Sequence, residues 1–127
     1  MKYIVLIGRI LFSAIFISSS LNHFSHEAVD YAMSHGVPMA TLLVPVSGIL
    51  AFLGGLSILI GFKARYGAWL LVLFLIPVSF MMHDFWNIEE VGMHALQKVM
   101  FLKNLSMLGA ALLITYFGSG PMSVDKR

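Results

Sequence analysis

The sequence predicts an all-α integral membrane protein: a four-helix bundle with both termini cytoplasmic and a short surface helix between spans one and two. Three observations carry this prediction. Of the 127 residues, 59% are hydrophobic and only 11% charged, against roughly 25% charged in ordinary soluble domains, so the chain is too apolar to hide its side chains from water. The apolar residues fall into four runs, about 3–24, 41–61, 66–83 and 98–117, each near the roughly 20 residues that cross a bilayer as a helix. The basic residues keep to alternate connections. A single domain over 1–127 accounts for the chain, with no room for a separate soluble one.

The first run is apolar except for Arg9 and the hydroxyls Ser18 to Ser20. Arg9 interrupts what would be the apolar centre of a signal peptide and no A-x-A-like cleavage site follows, so the run reads as an uncleaved span. The polar stretch Asn22 to Pro38 places Ala28, Tyr31, Ala32 and His35 at helical spacing and ends on Gly36, which predicts a short surface helix with a glycine stop. Span two is about 21 residues, or about 31 Å at 1.5 Å per residue. Ser47, Ala51 and Gly55 recur at every fourth position, and Gly48, Gly54, Ser57 and Gly61 widen the same low-volume face; such stripes let helix backbones approach closely in lipid. The short basic loop Phe62 to Tyr66 makes spans two and three antiparallel neighbours. Pro77 interrupts span three and frees a carbonyl near Leu73. A polar connection over Phe85 to Gln97 leads to span four, which Gly118, Gly120 and Pro121 stop.

Charge and cysteine usage narrow the chemistry. The formal charge is +2, but the basic residues form no stripe or patch, so no nucleic-acid partner is expected. The absence of cysteine excludes disulfides, thiolate metal sites and thiol catalysis. Lys2, Arg9, Lys63, Arg65, Lys126 and Arg127 mark one side, whereas the first loop carries no Lys or Arg; both termini are therefore expected in the cytoplasm. Lys98 and Lys103 break this pattern at the outer end of span four. Arg9, about two turns into span one, is expected to snorkel inward, or to meet the middle loop or lipid phosphates.

The outer polar residues assemble into a candidate pocket. Span one ends with Asn22, His23 and His26, span three with His83 and Asp84, and span four begins with Gln97, Lys103 and Asn104. Lys103 shares a face with Ser106 and Ala110 and is expected to face the bundle interior, with Asp84 as its partner, since either charge buried alone is costly. Competing readings are a lysine that snorkels to the outer headgroups and an ion pair that merely pins spans three and four together. His23 and His26 with His83 and Asp84 contain donors of metal-ligand type, but no recognised spacing pattern, and no metal is assigned. His83 suits a proton carrier, because histidine titrates near neutrality. Phe24, Phe85 and Trp86 read as an outer aromatic belt and Trp69 as an inner one.

LGGLSILIGFKARYGAWLL resembles the central signature of the DoxX family of small four-span membrane proteins, and GRILFSAIFISSSLNHF is similar to that family's first span. MMHDFW and FLKNLSMLGAALLITYFGSGPMSVD extend the resemblance over nearly the whole chain. The family commonly carries a glutamate about three residues before the paired glycines, where this chain has Ala51, and a lysine near the end of span one, where it has Asn22 and His23. A mechanism resting on that glutamate does not carry over. The resemblance implies a bacterial inner-membrane bundle associated with quinone-linked or oxidative-stress redox systems, since relatives include a subunit of a thiosulfate to quinone oxidoreductase. On that reading Asn22, His23, His83, Asp84, Lys103 and Asn104 form an outward-facing pocket for a quinone head or small anion, with Ser47, Ala51, Gly54 and Gly55 as packing residues. A redox protein is the expected partner and a homo-oligomer stays open. Two other readings stand beside it: a non-catalytic anchor for a soluble partner, and a solute or proton pathway. No haem, flavin or nucleotide signature is present.

Overall fold

The computed structural model describes residues 1–125; Lys126 and Arg127, which contribute to the orientation argument, lie outside the described residues. The helices are α1 (Lys2–Ser20), α2 (His26–Ser34), α3 (Ala40–Ile60), α4 (Ala64–Met82) and α5 (Val91–Phe117), with 3-10 turns at Leu21–Phe24 and Phe85–Asn87. Four of them, all but α2, are long and apolar enough to cross a bilayer. Among the described residues there is no strand. In chain order α1 packs on α3, α3 on α4 and α4 on α5, around a core that includes Phe16, Ala51, Ile58, Ala68, Leu71 and Leu75. Large apolar side chains such as Leu11, Leu53, Leu73 and Leu113 point outward, as a lipid-facing surface requires.

The low-volume stripe of α3 serves two neighbours at once. A Cβ added at Gly54 would stand 2.8 Å from the Gly67 carbonyl of α4, and one added at Gly55 would stand 3.2 Å from Phe16 Cβ of α1. Ala51, fully buried, belongs to the same core. Ser47 departs from the packing role expected of it: it borders a cavity, and its hydroxyl donates to Val44 O at 2.6 Å.

Helix ends follow local chemistry. The amide of Val37 reaches Ala32 O and that of Phe62 reaches Ser57 O, with Gly36 and Gly61 at φ +77° and +72°; this left-handed residue plus six-to-one bond is the glycine stop. Ser25 starts α2, its Oγ accepting from Ala28 N–H at 3.1 Å. Helix α5 begins at Val91, well before the expected Lys98, because the Glu90 carboxylate accepts from the amides of Gly92 and Met93. Those two bonds hold the Glu90 carboxyl below its ordinary range. A depressed folded-state pKa stabilises the helix start above the ordinary carboxylate range and is lost as pH falls through the lowered value. Amide exchange at Gly92 and Met93 should therefore rise on acidification, and Glu90→Gln should raise it already at neutral pH.

At the end holding the α3–α4 loop, residues 118–125 fold back as a strap. Val124 and Asp125 amides donate to Ile60 O and Gly61 O at 3.0 and 2.9 Å, and the Lys63 amide donates to Asp125 Oδ2 at 2.5 Å. The strap also meets α1: Arg9 Nη2 donates to Pro121 O at 3.3 Å and to Met122 O. Arg9 is only 5% exposed, so it does not snorkel; it lies under the strap and against the middle loop at Gly61.

Candidate functional site

The site is built from the small and apolar underside of α2. Ala28, Ala32 and Val37 pack towards Ala40, Val44 and Met82 of α3 and α4, which lays the surface helix across one end of the bundle. Small residues there leave space. A cavity of about 470 Å³ lies between α2, α3 and α4 and the end of α1, lined by residues that include Val44, Ser47, Phe74 and Pro77. That volume falls inside the roughly 300–1,000 Å³ of small-molecule sites, which are likewise apolar with few polar groups.

Two lining side chains carry ring polar atoms, His23 and Tyr31. His23 sits in the turn after α1, with Nδ1 3.0 Å from Ser19 O. A carbonyl oxygen can only accept, so Nδ1 carries the proton and neutral His23 presents Nε2 as a bare acceptor. Its ring meets Phe74 edge-on at 5.6 Å. Gly48 fixes its position from below: a Cβ there would stand 2.6 Å from His23 Cβ and 3.1 Å from Ser20 O. Tyr31 is half exposed, its ring 4.4 Å from that of His35.

The structure divides the expected polar pocket. His23 alone of the six residues borders the cavity. His83 Nδ1 donates to Gln97 Oε1 at 2.7 Å, a bond across the α4–α5 interface where Gln97 and Asn104 are both buried. Asn22 is exposed. Asp84 Oδ2 accepts from Asn87 Nδ2 at 3.1 Å, and Lys103 is exposed, which corrects the expectation of an interior Lys103 paired with Asp84. The reason is helical phase: α5 buries Gln97, Asn104 and Ala111, spaced by seven, and the residue before Asn104 lies about 100° round the helix. Among the described residues no group of three His, Asp or Glu side chains is arranged to hold a metal. Phe80, Phe85, Trp86 and Phe101 form a ring cluster with centroids 5.2 to 6.2 Å apart, consistent in composition with a belt. Tyr31 went unnoticed as a site residue in the sequence, whereas Gln97 stood among the outer polar residues; the alanines of α2 were the available signal for the cavity.

The DoxX family profile matches residues 4–84, which spans α1 to α4 and the whole cavity wall. The chain belongs to the DoxX family. This DoxX protein is 35% identical over 124 residues to inner membrane protein YqjF of Escherichia coli, covering 96% of this chain and 89% of the relative. It is 30% identical to inner membrane protein YphA of the same organism, over 78% of this chain and 70% of that one. Surfeit locus protein 4 homolog of Schizosaccharomyces pombe is 30% identical over 72% of this chain but only 30% of its own length. No solved structure matches. With four helices able to span a bilayer, this DoxX protein is a multi-pass protein of the inner membrane. Arg9 and His23 lie inside the family match, whereas α5 and the strap lie beyond it.

Proposed function

We propose that this DoxX protein is a membrane component of a redox system that holds the head of a quinone-type lipid beneath α2. The observation that carries the reading is the 470 Å³ apolar cavity with His23 in its wall. A quinone supplies two-electron, two-proton exchange when bound. The chain's own contribution is recognition: apolar walls from α3 and α4 take the ring and the start of its tail, and His23 Nε2 accepts a hydrogen bond from a ring hydroxyl. The Tyr31 hydroxyl supplies a donor for a ring carbonyl. His83 with Gln97, and Asp84, Asn22, Lys103 and Asn104, are left outside this contact and act through helix packing or at the membrane surface. The distribution of Lys2, Lys63 and Arg65 supports a cytoplasmic strap end and an outer cavity.

The test is titration of the purified protein in detergent with a short-chain quinone and its quinol, followed by calorimetry. Saturable binding is expected, and Val44→Trp, which fills the cavity from a buried wall position, should abolish it while preserving helix content. His23→Ala should weaken the quinol more than the quinone, because only the quinol has a hydroxyl for Nε2. Absence of binding by the folded wild-type protein overturns the reading, and one dominant soluble partner in the same preparation would put the anchor role in its place.

A further inference from the structure

Arg9 carries a feature that the cavity does not use. Its guanidinium is withdrawn from solvent, at 5% exposure, yet only Nη2 has acceptors, the carbonyls of Pro121 and Met122. Nε and Nη1 are buried without a partner, as is the Ser13 hydroxyl one turn further along the same face of α1. Arginine stays protonated in proteins, and a buried charge requires a counter-charge or full hydrogen bonding. Among the described residues no carboxylate supplies it: the acid carried by the strap, Asp125, is engaged by the Lys63 amide. The guanidinium thus has three unused N–H donors and an unmatched positive charge.

We propose that Arg9 is the centre of a binding site for a phosphate group, and that residues 118–125 are a removable stopper over it. A guanidinium matches phosphate in charge and in donor geometry far better than it matches two peptide carbonyls. Arg9 lies about 10 Å along α1 from Lys2, near the end of a membrane span, and Lys63 in the loop and Arg65 in the first turn of α4 stand at the same end. The strap is held lightly. Pro121, Met122 and Val124 are exposed, so it buries little apolar surface, and its hold rests on the bonds to Ile60, Gly61, Lys63 and Arg9. Segments of this kind open at low free-energy cost. A Cβ built on Gly61 would run into both Arg9 Nη1 and Ser123, so loop and strap crowd the guanidinium and a phosphate reaches it only when the strap lifts. The phosphate comes from an anionic lipid headgroup or from free inorganic phosphate.

The experiment uses the full chain and exploits the absence of native cysteine. A spin label on Val124→Cys, an exposed strap position, reports strap mobility by paramagnetic resonance. One arm titrates inorganic phosphate in detergent; the other compares nanodiscs of phosphatidylglycerol with nanodiscs of phosphatidylcholine. A rise in the mobile fraction is expected in the first arm if free phosphate is the ligand, or on phosphatidylglycerol alone if the headgroup is. Asp125→Ala, which removes the acceptor that holds the Lys63 amide, should tighten binding at least tenfold by easing strap release. Arg9→Gln should abolish the response. A strap equally immobile in both arms overturns the proposal, and so does a response that survives in a folded Arg9→Gln protein. Should Arg9→Gln fail to fold, the Asp125→Ala comparison decides: unchanged phosphate or lipid dependence overturns the proposal.

Discussion

Replacing Gly54 by alanine is expected to destabilise the protein by about 1–3 kcal/mol, the usual cost of forcing volume into a packed interface. The new methyl would stand 2.7 Å from Leu71 Cδ2, which can rotate, but also 2.8 Å from the carbonyl of Gly67, which cannot. Relief therefore requires the α3 and α4 backbones to separate, which weakens every contact along their crossing. Gly67→Ala runs into Ser57 Oγ, and that hydroxyl is committed to the Phe62 carbonyl at 2.6 Å, so the loop would shift as well. Because the two glycines share one contact, the double variant should cost less than the sum of the singles. Gly8 and Gly109 provide the control. A Cβ at either would meet nothing within 4 Å, so alanine there should leave stability unchanged or raise it by up to about 1 kcal/mol through helix propensity. Reversible unfolding in mixed micelles, followed by far-ultraviolet circular dichroism, measures all of these; equal effects at Gly54 and Gly109 would refute the assignment of the close crossing.

Gly48→Ala should separate ligand binding from fold. Its methyl would press on His23 Cβ at 2.6 Å and on Ser20 O at 3.1 Å, moving the imidazole away from Phe74 and from Ser19 O. Loss of one oriented hydrogen bond to the ring hydroxyl, worth about 1.4 kcal/mol, corresponds to about tenfold in affinity. The expected result is weakened quinol binding by calorimetry, a shifted His23 imidazole nitrogen resonance and near-normal helix content. Gly55→Ala, which presses on Ile17 and Phe16 of the same helix α1 at 3.0 and 3.2 Å, should lower stability without changing the affinity. If both variants bind quinol as the wild type does, His23 is not a recognition residue.

The membrane fold was legible because its causes are local. Runs of apolar residues, Gly36 and Gly61 as stops, and Pro121 past the last span act within a few residues of themselves. The glycines of α3 were legible as a stripe but not as two faces: Gly54 and Gly55 are adjacent in sequence, and only the helix rotation sends one to α4 and the other to α1. Lys103 and Asp84 illustrate the same limit. Their depth could be counted, but the phase of α5 is decided by which residues meet α4, and Gln97, Asn104 and Ala111 take that face. The strap has no local signature, since the Lys63 amide and Asp125 carboxylate are 62 positions apart. The cavity is written as missing volume, in Ala28 and Ala32, and missing volume shows no motif.

The strap also bears on how the molecule is made. The carbonyls that receive Arg9, at Pro121 and Met122, are synthesised 112 and 113 positions after it. Until then its guanidinium lacks the acceptors that hold it in the folded protein, and a variant without residues 118–125 would keep the four long helices but leave Arg9 uncovered. The return of the strap thus makes the covering of Arg9 a late contact, one that ties the first long helix to residues that follow the last.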